Sequence, residues 1–172
     1  NLSDEQKKLS AKLMRVNHTG EVCAQALYLR QSTVEKNLEI RSELTQSADE
    51  ELDHLVWTQR RTGELGGRTS LLNPLFYVGS FAIGVMAGLT GTQRSLGFLQ
   101  ETERQVEAHL TGHLDRVSVE DERTRTMIAQ MRDEERSHAK RAEHLGAEPL
   151  PKPVRSMMRL MSKVMTQATF RI

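Results

Sequence analysis

Asp133-Glu134-Glu135-Arg136-Ser137-His138 repeats a hexapeptide that has already occurred once, Asp49-Glu50-Glu51-Leu52-Asp53-His54, with four of the six positions identical. Each copy contains a Glu-x-x-His. Residues three apart on an α-helix project from one face, so each copy aims a carboxylate and an imidazole at one point. Each also has a glutamate about one helix upstream, Glu21 at 30 residues before Glu51 and Glu103 at 32 before Glu135. One Glu-x-x-His on a charged helix is ordinarily a solvated face. Two copies with the same Asp-Glu flank and nearly equal upstream spacing are not expected from chance.

A four-helix bundle holding two metal ions draws one Glu from each of two helices and a Glu-x-x-His from each of the other two. Glu21, Glu51, His54, Glu103, Glu135 and His138 supply that set. Composition agrees with an all-α chain: 27% charged residues, 4% aromatic, four prolines, and 172 residues, the size of one domain spanning 1–172. Lys plus Arg number 24 against 23 Asp plus Glu, so no overall charge asks for nucleic acid. Cys23 is the only cysteine, which excludes an intrachain disulfide and any cysteine-built metal site. The first residue is Asn1 rather than Met, which leaves room for a removed targeting segment.

Ser3-Asp4-Glu5-Gln6 has the form of a capping box and opens a helix predicted to fade at 34–38. Gly20, beside Glu21, gives up helix propensity and is read as making room at the metal site. Further helices are expected over about 43–61, 74–89, 92–117, 119–145 and 154–169. In the fourth of these six, Glu103 lies on the apolar stripe with Leu96, Leu99, Val106 and Leu110, while Glu107 points toward water and is held in reserve. His18 and His109 are read as packed or solvent-facing, His113 and His144 as surface, Tyr28 and Trp57 as core.

Thr69 to Gln93 carries no charge. A helix over 74–89 would be about 24 Å long, short of a roughly 30 Å hydrocarbon core. It is read either as a buried core helix or as an interfacial segment entering one leaflet, with a membrane span third. The last helix sets Met157, Met161, Val164 and Met165 beside Arg155, Arg159 and Lys163, a pattern suited to a lid or an anionic lipid surface.

Four buried carboxylates need compensating cations, and oxygen ligands with two imidazoles suit iron or manganese. Six protein ligands for two metals leave positions open for O₂. Hydroxylation, desaturation, ferroxidation and peroxide reduction all fit such a centre. The uncharged stretch favours a lipid-soluble substrate over a soluble ferroxidase or peroxidase, and a non-catalytic scaffold or lipid carrier would leave the acids as mere surface charge.

Arg15-Val16-Asn17-His18-Thr19-Gly20-Glu21, Asn73-Pro74-Leu75-Phe76-Tyr77, the two hexapeptides and the closing Lys163-Val164-Met165-Thr166 with Phe170-Arg171-Ile172 closely resemble the bacterial demethoxyubiquinone hydroxylase family, over essentially the whole chain. The resemblance implies a ferritin-like four-helix bundle with an additional apolar helical segment and a C-terminal amphipathic helix. It implies a di-iron monooxygenase that hydroxylates the ring of a polyprenyl demethoxy-benzoquinol with O₂ and an external reductant in ubiquinone biosynthesis. It also implies a peripheral position on the cytoplasmic side of the cytoplasmic membrane, with accessory proteins of the pathway and a second copy of the chain as candidate partners. Carried over by position, the iron ligands fall on Glu21, Glu51, His54, Glu103, Glu135 and His138, and no catalytic role beyond the ligands is assigned. His109 is followed by Leu110 where some relatives have Tyr, so that pair is given no role.

Overall fold

The computed structural model describes residues 2–172. Six helices follow one another: α1 (Asp4–Val34), α2 (Leu38–Glu64), α3 (Asn73–Leu89), α4 (Thr92–Leu114), α5 (Glu122–His144) and α6 (Lys152–Arg171). No strand occurs among the described residues, and the architecture is an all-α, ferritin-like bundle. α1 packs on α2 and α4 on α5, the two pairs face each other, and α3 lies along α1 as part of the crossover between them.

Local chemistry sets the helix ends. Ser3 and Gln6 form the capping box, the Ser3 hydroxyl accepting from Gln6 N and the Gln6 side chain accepting from Ser3 N. α2 begins five residues before the sequence suggests, because Asn37 Oδ1 accepts from the amides of Glu39 and Ile40 and secures a polar first turn. α5 begins later than expected, at the Asp121 cap. There Asp121 Oδ1 accepts from Thr124 N and also from Arg61 Nη2 at 2.7 Å, tying the start of α5 to the end of α2.

The core is in two parts. One cluster holds Ala24, Tyr28, Ile40, Leu44, Leu96, Leu99 and Ala142. The other holds Leu13, Met14, Leu110, Val117, Ile128 and Met131. On each bundle helix the metal-type residues fall between the positions that feed these clusters, so the acids sit between two apolar plugs. Each large aliphatic side chain in a plug contributes about 1.5–3 kcal/mol by leaving water, and together the plugs close both ends of the polar layer.

α4 meets the chain beyond α5 at Gly97. Glu148 N donates to Gln93 O, and a Cβ on Gly97 would stand 1.8 Å from Glu148 O. Backbone cannot yield as a side chain can, so Gly97→Ala is expected to cost more than the roughly 1–3 kcal/mol of an overpacked core, read as a drop in Tm.

α3 is not a buried core helix. Of its residues only Gly84 is buried, where it packs on Leu27 and Arg30 of α1. Leu75, Val78, Met86 and Leu89 face outward, each more than half exposed. α6 likewise exposes Met157, Leu160 and Val164. Among the described residues no helix is long and apolar enough to cross a membrane.

Candidate metal centre

The bundle brings all six sequence-predicted residues together. Glu21 comes from α1, Glu51 and His54 from α2, Glu103 from α4, Glu135 and His138 from α5, and none is more than 2% exposed. They form two quartets, Glu21-Glu51-His54-Glu135 and Glu51-Glu103-Glu135-His138, in each of which the ligand atoms lie within 4.8 Å of one another. Glu51 and Glu135 belong to both. Each quartet could hold one cation, with Glu51 and Glu135 available to both and one further Glu and one His available to each.

Each imidazole presents Nδ1 to the carboxylates. His54 Nδ1 lies 3.2 Å from Glu51, 3.3 Å from Glu135 and 3.6 Å from Glu21. His138 Nδ1 lies 2.9 Å from Glu51 Oε1, yet the two are not aligned as a hydrogen bond. His138 Nδ1, Glu51 Oε1 and Glu135 Oε1 are buried without hydrogen-bond partners. Buried polar atoms are seldom left so. Atoms that point at a common centre rather than at one another fit a pair of bound cations, and the hard oxygen and imidazole donors suit iron or manganese.

The outer ring nitrogens are held crosswise. His54 Nε2 lies 2.5 Å from Glu134 Oε2, and His138 Nε2 lies 2.7 Å from Glu50 Oε2. Each repeat thus orients the imidazole of the other. An ionised carboxylate only accepts, so both Nε2 atoms carry hydrogen and Nδ1 is the metal-facing atom. Glu134→Gln is expected to weaken the ion on the His54 side about 10–100-fold, and Glu50→Gln the ion on the His138 side. Competition with a chelator measures this; unchanged affinity in both variants would show that these carboxylates do not set the rings.

Of the two α4 acids weighed for the metal, the structure buries Glu103 and turns Glu107 to Arg136, at 2.7 Å. Tyr28 is a core residue as read, but it also donates to Glu103 Oε1 at 2.8 Å, fixing the carboxylate from outside. Its place seven residues after Glu21, two helical turns on the same face, was the available signal. Trp57 packs beside the second core cluster with its ring 5.4 Å from that of His54. His18 serves α3: Asn73 Nδ2 donates to His18 Nδ1, and Thr19 Oγ donates to Asn73 Oδ1 at 2.7 Å, pinning the start of α3 beside Glu21. His144 is exposed. His113, expected at the surface, is buried against His109, because Val106, His109, Leu110 and His113 form one inward stripe.

Gly20 does not clear a crowded spot, since a Cβ there meets nothing within 4 Å. Gly20→Ala is therefore expected to raise the unfolding free energy by about 1 kcal/mol, seen in urea denaturation.

A family described as "Ubiquinone biosynthesis protein COQ7" matches residues 8–169. The chain belongs to this COQ7 family. Its relatives include proteins named 3-demethoxyubiquinol 3-hydroxylase. That of Azoarcus sp. is 54% identical over 99% of this chain and 83% of its own length. That of Methylibium petroleiphilum is 55% identical over 99% and 81%, and that of Chromobacterium violaceum 54% over 99% and 83%. The buried Glu/His quartets of this COQ7-family chain thus lie well inside the matched span.

Proposed function

We propose that this chain is a 3-demethoxyubiquinol 3-hydroxylase, a di-iron monooxygenase acting on the quinol ring in ubiquinone biosynthesis. The observation that carries the reading is the pair of buried quartets sharing Glu51 and Glu135, in a chain 54% identical to proteins of that name. Glu21, Glu51, His54, Glu103, Glu135 and His138 would hold two ferrous ions, whose chemistry would be the reductive activation of O₂, with electrons from an external reductant, for ring hydroxylation with water as the other product.

The chain's own residues do the rest. Glu21 and Glu103 would hold one ion each, and Tyr28 keeps Glu103 from rotating away. The two apolar plugs exclude bulk water from the polar layer, which strengthens every charge interaction inside it. Glu50 and Glu134 fix the imidazoles at their outer nitrogens.

The reading includes a peripheral position on the cytoplasmic face of the membrane. Exposed apolar side chains on α3 and α6, with Arg155, Arg159 and Lys163 on α6, support it: the side chains suit the acyl boundary and the cations suit anionic headgroups. A lipid-soluble quinol would reach the bundle from that side.

The test is reconstitution with Fe(II), O₂, a chemical reductant and a short-chain demethoxyubiquinol, followed by mass spectrometry. The expected product is the quinol with one added ring oxygen. A preparation holding two irons per chain that yields none overturns the assignment, and failure to co-sediment with anionic vesicles overturns the membrane position alone.

A further inference from the structure

A second concentration of unsatisfied polar groups lies away from the metal centre, where α1, α4 and the end of α6 meet. A cavity of about 420 Å³ is lined there by His109, His113, Arg116, Phe170 and Arg171, among others. The two imidazoles lie against each other at a tilt of 59°, with centroids 3.9 Å apart. His113 is 3% exposed, and His109 Nε2 and His113 Nδ1 are buried without any hydrogen-bond partner. Arg116 and Lys12 lie against the Phe170 ring, 5.1 and 5.3 Å from its centroid. Among the described residues that line the cavity there is no Asp or Glu. Exposed cations gathered without acids at the mouth of a pocket lined by unfulfilled imidazoles give it a positive potential that suits an anion.

We propose that this cavity binds a phosphate group, held by the ring N–H groups of His109 and His113 and the guanidinium groups of Arg116 and Arg171. Two histidines four apart on a helix can also grip a divalent metal, but the surroundings oppose that here. Burial, and then the charge of Arg116, hold His109 down at about 4; burial, His109 and Arg116 hold His113 near 2. Burial is the larger cause, but the Arg116 charge beside both rings also disfavours a metal ion there and favours an anion. Guanidinium forks and imidazole N–H groups together offer more donors than one carboxylate can take, and a phosphate with several oxygens matches them. The phosphate could belong to a lipid headgroup, since α6 also carries the exposed apolar side chains, or to a soluble ester.

The site does not depend on the metal centre, so binding is measured on metal-loaded and chelated protein alike. Calorimetric titration uses inorganic phosphate in one arm and dihexanoyl phosphatidic acid below its micelle concentration in the other, with the imidazole resonances followed by NMR. Saturable one-to-one binding that moves the His109 and His113 resonances is expected. It should weaken at least about tenfold in Arg116→Gln and in Arg171→Gln, whose side chains are exposed and whose folds should survive. Tighter binding of the short-chain lipid by more than about tenfold assigns the lipid source; equal or tighter binding of inorganic phosphate assigns the soluble one. No saturable binding in either arm, binding untouched by both arginine variants, or Zn²⁺ captured by the two histidines in preference to phosphate would overturn the proposal.

Discussion

Glu51→Ala is expected to empty both metal positions, whereas Glu21→Ala empties one. Glu51 and Glu135 belong to both quartets, while Glu21 and Glu103 each belong to one. Removing a shared carboxylate takes a donor from each ion and leaves the ions to repel each other across the gap. Bound iron should fall from about two per chain toward none, and hydroxylation by more than the roughly 10–100-fold that loss of an outer partner costs. Glu135→Ala should behave alike. Stability separates loss of ligation from loss of fold. In chelator, Glu51→Ala leaves two imidazolium groups facing one ionised carboxylate, so the variant should melt lower than the parent but still in one cooperative transition, which marks a retained fold. Elemental analysis with thermal melts reads both. A Glu51→Ala protein that still holds two irons would sink the shared-carboxylate arrangement.

Much of this centre was legible in the sequence because helical spacing is local. Glu and His stand three positions apart in each hexapeptide, and the apolar neighbours of Glu103 distinguish it from Glu107. Tertiary pairing was not legible. That Glu134 would serve His54 and Glu50 serve His138 depends on how α2 faces α5, and no spacing within one helix encodes it. The early start of α2 was missed because its first turn is polar and is secured by the Asn37 side chain rather than by burial. The apolar run of α3 was ambiguous for a different reason. Mean hydropathy cannot distinguish a helix covered by protein from one left open, and only the packing of Gly84 on α1 shows which side is used.

Loading two divalent ions at neutral pH is expected to release about four protons, because the six ligands balance their own charge in the chelated protein. Burial and the charge of Glu51 push Glu21 well up, and burial and the charge of Glu135 push Glu103 well up, so both are held as neutral acids. Burial alone would raise Glu51 and Glu135 too. In Glu51 it is outweighed by His138, His54 and the proton on Glu21, and in Glu135 by Glu103, His138 and His54, so both are lowered and stay ionised. Burial alone would lower the imidazoles, but facing carboxylates prevail, lifting His138 to about 10 and His54 strongly upward. Two carboxylates and two imidazolium groups then sum to zero, and four carboxylates with two divalent ions also sum to zero. The layer between the apolar plugs stays neutral in both conditions, as its burial demands. The sign follows directly. Each of these protons is bound below its group's raised pKa and must leave for the metal to enter, so affinity weakens as pH falls. The overall constant for two ions should drop by up to about four powers of ten per pH unit near neutrality. Calorimetry in buffers of different ionisation enthalpy gives the proton count as a slope. A slope near zero would mean that four ionised carboxylates and two neutral imidazoles share the buried layer with no cation among them, and the charge-balanced cage would have to be abandoned.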